Sequence, residues 1–275
     1  MDNLGDILKE TRQQKQLSQF KTAEDICSQS TLSEIEHNKY IPNPQLLIDL
    51  CERLSIVFED ISLANNFKIC KDNYFNQKIN SFYKTHNYDQ LRTFLNRPTV
   101  IETVQTSKQT QAYYFYLAIC ALHLERKFDN AKELLKLSLA STGHSRKQTT
   151  LTRVSNVFLA YVYAQQGLKN SALRQIDLSL KDLNLIEHED NLNLIFYISA
   201  LSYFKLSKLD LAIQTIESGV NFIRKNESHF MLLNSFYLMA QIAESVKEKN
   251  AVITIQNYDL FKTLFHAPTY QSVIS

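Results

Sequence analysis

The chain holds only four glycines and four prolines among its 275 residues, well below ordinary usage. So few turn-formers disfavour a β-rich fold with many tight turns, and they exclude the glycine-rich loops that cradle phosphates. No stretch approaches 18 apolar residues, so no membrane span is expected. The start, MDNLGDILKE, has no basic segment leading into an apolar one, so no secretory leader is expected. The cysteines, Cys27, Cys51, Cys70 and Cys120, have no CxxC spacing and read as buried thiols of a cytoplasmic protein. The histidines are scattered, with no HExxH and no His/Cys cluster at metal spacing, and GxSxG is missing too. The runs Gly143-His144-Ser145-Arg146 and His188-Glu189-Asp190-Asn191 read as solvated loops. Neither an enzyme nor a metal or organic cofactor is expected.

What is present is an all-α pattern, 44% apolar, enough for a sizeable core. Ser18–Tyr40, SQFKTAEDICSQSTLSEIEHNKY, reads as two short helices around a tight turn at Cys27-Ser28. Ser18 caps the first, whose apolar side is Phe20, Ala23 and Ile26. The second, Gln29 to His37, buries Leu32 and Ile35 and leaves Gln29, Ser30, Ser33 and Glu34 outward. Short polar side chains at the exposed start of a helix suit base edges in a major groove. The same pattern also suits an ordinary αα-hairpin in which Ser and Thr are caps. The flanks favour the DNA-reading form: a helix Leu4–Lys15 before it, a helix opened by Asn43-Pro44 with Leu46, Leu47, Leu50 and Leu54 on one face, and a fifth helix Ser55–Leu63.

The run LGDILKETRQQKQLSQ, then ICSQSTLSEIE, then YIPNPQLLIDLCERLSI resembles the Xre, or phage-repressor-like, helix-turn-helix domain across residues 4–63. The resemblance implies that Gln19 sits near DNA phosphate, and that Gln29, Ser30, Thr31 and Glu34 face the groove. It also implies that an Arg12–Glu36 pair ties the first helix to the recognition helix. Gln16 and Asn38 stand where that family usually carries glycine, and Thr22 where it carries leucine. Charge runs against the usual DNA-binding footprint: residues 1–66 hold six Lys/Arg against eleven Asp/Glu, a balance of −5, while the remaining 209 hold 24 against 17, a balance of +7.

SLANNFKICKDNY forms a polar, partly helical bridge to a second domain, giving 1–65 and 66–275. The second domain repeats. Ile79, Ile119, Ala160, Ala200 and Ala240 recur at steps of 40, 41, 40 and 40, and twelve residues after each come Leu91, Ala131, Ala172, Ala212 and Val252. Small residues so spaced let two antiparallel helices approach closely. The pattern resembles tetratricopeptide repeats with longer helices than the usual ~34-residue unit, and predicts an α-solenoid of about five helix pairs.

Helix-turn-helix plus such repeats resembles the peptide-sensing Rgg/PlcR group of transcription regulators. The resemblance implies a cytoplasmic homodimer that binds double-stranded DNA at a palindromic operator and a short signalling peptide on the concave face of its repeats, with no membrane contact. First-helix positions place Asn76, Tyr116, Val157, Tyr197 and Tyr237, with Asn80, Cys120, Tyr161, Leu201 and Gln241, on one inward face. From these and the preceding turn, Arg153, Asn156, Tyr197, Tyr237 and Gln241 are the peptide-binding candidates. Amides would pair with a peptide backbone, Arg153 with a carboxylate, and the rings with apolar side chains. For each tyrosine, core packing is the alternative. The last repeat, Phe236–Phe265, with Tyr258, Phe261, Leu264 and Phe265, is the candidate dimer interface, with self-capping of the solenoid end as the alternative. Competing readings are a protein-interaction adaptor with a degenerate DNA-binding domain and a ligand-independent repressor of a mobile element.

Overall fold

The computed structural model describes residues 4–40, 42, 44–54, 63–124, 128–142, 148–228 and 230–248, which contain helices and no strand. The chain divides into two compact units, one formed by 1–59 with 223–275 and the other by 60–222.

In the first unit, α1 (Leu4–Gln14), α2 (Gln19–Ala23), α3 (Gln29–Glu36) and α4 (Pro44–Arg53) follow in order, with α14 (Leu232–Glu248) packed on α4. The expected fifth helix, 55–63, falls almost wholly outside the described residues. Ser18 and Ser28 cap α2 and α3, accepting from the N–H groups of Lys21 and Thr31. Both use the side-chain oxygen to satisfy a donor that the first helical turn leaves open. Leu8, Ala23, Leu32, Ile35, Leu47, Leu50 and Leu54 form the core. Phe20, expected inside, is 70% exposed, and Thr22 is fully buried in its stead. The five-residue α2 has room to bury only Thr22 and Ala23, and the Thr22 hydroxyl is satisfied by the Ser18 carbonyl at 3.0 Å.

The second unit stacks helix pairs: α5 (Asn73–Lys84) with α6 (Tyr88–Leu95), α8 (Ser107–Leu124) with α9 (Phe128–Ala140), α10 (Thr150–Gln165) with α11 (Lys169–Leu180), and α12 (Asn193–Lys205) with α13 (Leu209–Lys225). A four-residue helix, α7 (Pro98–Ile101), and two 3-10 turns, Leu183–Leu185 and Asp190–Leu192, lie between pairs. The repeat positions Ile79, Ile119, Ala160 and Ala200 are buried, as are Leu91, Ala131, Ala172 and Ala212. The alanines among them, Ala131, Ala160, Ala172, Ala200 and Ala212, leave the helices of their pairs room to pack closely. Ala240 belongs to α14; Val252, Tyr258, Phe261, Leu264 and Phe265 lie outside the described residues, as does 143–147.

The scarcity of glycine has a structural counterpart. Gln16, Asn38, His86, Gly167 and Ser207 all close a helix in the left-handed region, at φ of 56°, 58°, 52°, 71° and 56°. After each, an N–H returns to a carbonyl five residues back, as in Asn87 to Phe82, Leu168 to Tyr163 and Lys208 to Tyr203. This is the Schellman closure that glycine usually serves. Four of these five helix ends use a residue with a side chain instead.

Candidate nucleic-acid interface and ligand groove

The start of α3 is exposed at Gln29, Ser30 and Glu34, with Thr31 half-buried. Behind it runs a chain of polar contacts. Arg12 donates from Nε to Glu36 Oε1 at 2.6 Å and from Nη2 to Oε2 at 2.9 Å, and its Nη1 donates to the Leu17 carbonyl at 2.8 Å. Gln19 Nε2 donates to Glu36 Oε2 at 2.7 Å, and Gln29 Nε2 donates to Gln19 Oε1 at 2.6 Å. The buried ion pair therefore orients Gln19, and Gln19 orients the first side chain of α3. Burial opposes the Glu36 charge, but the hydrogen bonds from Arg12 and Gln19 outweigh it and hold the carboxyl below its ordinary value. The same bond raises the Arg12 pKa. The Ser28 hydroxyl lies 2.8 Å from those of Ser30 and Thr31, which sets both at the mouth of the helix.

Gly5 was not singled out by sequence reasoning, yet it governs this packing. A Cβ there would lie 2.1 Å from the Ile35 carbonyl oxygen, and the Gly5 N–H donates to Asn38 Oδ1 at 2.9 Å. Of the domain's cations, Arg12 serves Glu36, and Arg53 donates to the Lys21 and Glu24 carbonyls at 2.9 and 3.1 Å. The domain's other cations are Lys9, Lys15, Lys21 and Lys39, of which Lys9 lies in the field of Glu36.

In the repeat unit, Arg153 is buried and its Nη1 donates to the carbonyls of Ser179 and Lys181 at 2.8 and 2.6 Å. It thereby closes the end of α11, while its Nε has no partner among the described residues. Asn156 and Tyr197 are buried at 5% and 6% exposure. Tyr237 and Gln241 are half-buried on α14, in the other unit.

The bridge 63–72 has no helix; α5 begins only at Asn73, capped by Asp72. It lies across the first helices as an irregular strap. Asn191 Oδ1 accepts from the Ala64 and Asn65 N–H groups at 2.8 and 3.3 Å, and its Nδ2 donates to the Asn65 carbonyl at 2.7 Å. The Tyr116 hydroxyl accepts from the Phe67 N–H at 2.8 Å and faces Asn66 Oδ1 and the Phe67 carbonyl at 3.1 and 3.2 Å. Asn76 Oδ1 accepts from the Ile69 N–H at 3.1 Å, and its Nδ2 donates to the Cys70 carbonyl at 2.9 Å. Burial drives the Tyr116 pKa up, so the phenol keeps its proton. Asn66 Nδ2 donates to Asn80 Oδ1. Asn191, expected in a solvated loop, is 2% exposed, because the strap covers it. Its partners lie more than 120 residues away in sequence, and no local pattern announces them.

Beside the strap opens a cleft of about 600 Å³, lined by Phe67, Ala112 and Leu151 and by Lys68, Lys71 and Lys108, with Glu189 also on its wall. No helix of the described residues is long and apolar enough to cross a membrane.

Residues 8–57 match the Helix-turn-helix family, so this segment is a helix-turn-helix domain. No curated protein matches the chain. Among solved structures, Bacillus thuringiensis PlcR in complex with the peptide PapR7 and DNA aligns over 97% of this chain and 96% of its own, at 16% identity and a TM-score of 0.54. The Streptococcus dysgalactiae SHP pheromone receptor Rgg2 aligns over 88% and 100%, at 16% identity and a TM-score of 0.36. The first of these likenesses extends to the fold along nearly the whole chain.

Proposed function

We propose that this chain is a cytoplasmic transcription regulator in which residues 1–65 bind DNA and residues 66–275 sense a short peptide. The observation that carries it is that one polypeptide joins a helix-turn-helix domain to a helical-repeat unit whose side chains hold an irregular main-chain segment. Gln29, Ser30, Thr31 and Glu34 meet base edges, and Gln19 positions the backbone. The cleft supports a peptide with an apolar side chain and a carboxylate, since Ala112, Leu151 and Lys108 line it independently of the strap. Asn156 and Tyr197 contribute further contacts, and Arg153 meets the carboxylate if it exchanges its α11 carbonyls for it. PlcR, of the same fold, was crystallised with both a peptide and DNA, the two partner classes proposed here. A homodimer on a palindromic site compensates for the small number of phosphate-facing lysines on one domain.

The test is selection of bound sequences from random duplex DNA by the full-length protein, followed by calorimetry with short peptides encoded beside its gene. One preferred sequence is expected. Gln29→Ala and Thr31→Ala should each weaken it by roughly 1–3 kcal/mol and relax one base position. Unchanged affinity and preference in both variants refutes the base-reading assignment. The −5 charge, with both arginines of the domain tied up internally, favours one second reading: a protein-interaction adaptor. It predicts no sequence preference at any salt concentration.

A further inference from the structure

We propose that the strap, residues 64–70, is a built-in ligand of the repeat unit, and that the peptide this unit senses replaces it by offering its own main-chain groups to the same side chains. The proposal rests on the reading of this unit as a peptide receptor. It adds what the receptor recognises and what a ligand must displace.

The contacts have a two-residue rhythm. Asn191 takes both the N–H and the carbonyl of Asn65. Tyr116 takes the N–H of Phe67 and faces its carbonyl. Asn76 takes the N–H of Ile69 and the next carbonyl, that of Cys70. The main chain bends at residues 64–65 and 69–71, so the N–H groups of Ala64 and Asn65 both reach Asn191, and the Ile69 N–H and Cys70 carbonyl both reach Asn76. The three side chains stand on different elements: the turn before α12, then α8, then α5. Together they form a cradle that satisfies main-chain groups of a segment outside any helix. Apolar anchoring adds to the main-chain contacts: Ile69 and Cys70 are buried, and the Phe67 ring meets Phe115 edge-on at 5.9 Å. Asn65, Lys68 and Lys71 are exposed.

A ladder that reads main-chain groups accepts many sequences. It rejects proline at the donating positions, because proline has no N–H. It also holds the strap at a high local concentration, since a short tether gives an effective concentration of about 1 mM. A strap with an intrinsic affinity as weak as about 0.1 mM then weakens an external competitor about tenfold. Displacing it takes away the cleft wall formed by residues 66–71 and frees the connection to the DNA-binding segment.

The experiment uses a fluorescent peptide with the strap's own sequence, residues 63–71, and fluorescence anisotropy. It is titrated against the full-length protein and against a full-length variant whose residues 64–70 are a glycine–serine stretch of equal length. The variant should bind it, and the natural chain should bind it about tenfold more weakly. Asn191→Ala in the variant background should remove most of the binding. The peptide carrying Phe67→Pro should fail, and the one carrying Lys68→Ala should not. A folded variant that ignores the strap peptide, or a natural chain that binds it equally well, overturns the proposal.

Hydrogen exchange on the natural chain covers the case of a misfolded variant. The Phe67 and Ile69 amides should be protected and should exchange at least about tenfold faster in Tyr116→Phe with Asn191→Ala; unchanged exchange overturns the proposal. A variant that binds the strap peptide but none of the peptides encoded beside the gene sinks the receptor reading and leaves the strap. The reverse pattern sinks the strap and leaves the receptor.

Discussion

The Arg12–Glu36 pair allows a prediction to be worked through. Its side chains are 10% and 0% exposed, and two hydrogen bonds join them. Arg12→Met removes the partner of a buried carboxylate and leaves only Gln19 to stabilise it. Breaking such a pair from one side costs about 3–5 kcal/mol, whereas replacing both partners with apolar groups is often neutral or better. Local opening of α1 and α3 should therefore rise by roughly two to four orders of magnitude in Arg12→Met, at ~1.4 kcal/mol per factor of ten. Adding Glu36→Leu should recover most of the loss. Hydrogen exchange of the α1 and α3 amides in the full-length protein measures both.

The pH dependence sharpens the test. In the natural protein the folded Glu36 pKa is depressed. Its stabilisation is full above the unfolded value of about 4.3 and is lost as pH falls through the folded value. In Arg12→Met, burial dominates and raises the pKa, so the penalty is full at neutral pH and is relieved as the carboxyl protonates. The gap between the two proteins should begin to shrink above about pH 4.3, as the variant's carboxyl protonates, and go on shrinking at lower pH as the natural one does. A single variant within about 1 kcal/mol of the natural protein, a double variant no better than the single, or a gap independent of pH would refute the reasoning.

Three further outcomes are expected. Gly5→Ala puts a methyl group against the Ile35 carbonyl, so α1 must shift from α3; a loss of about 1–3 kcal/mol should appear as faster exchange in α3 and weaker DNA binding. Arg153→Ala strips the Ser179 and Lys181 carbonyls of a charged donor and should cost about 1.5–3 kcal/mol, seen as earlier thermal loss of helix by circular dichroism without any peptide present. Ala172→Leu overfills the fully buried contact between α10 and α11 and should lower the melting temperature of the repeat unit, whereas Ser171→Leu on its exposed neighbour should not.

Much of the architecture was legible in the chain because its causes are local. The serines before α2 and α3 cap their own helices, and the 40-residue recurrence of small residues records helix pairs that must approach closely. Ion-pair partners Arg12 and Glu36 followed from a familiar domain pattern. The fate of side chains whose partners come from afar was decided by tertiary structure. Phe20 sits on an apolar period yet points outward, because α2 is too short to bury it and Thr22 finds a carbonyl instead. Arg153 has the chemistry of a carboxylate clamp, but the end of α11 supplies carbonyls to it first. Asn191 reads as part of a polar loop until the strap, over 120 residues earlier, is laid across it. Caps and periodicities depend on neighbours within a few turns of helix, so a sequence displays them. Which distant main chain satisfies a buried amide depends on the route of the whole chain, and only the folded molecule contains that.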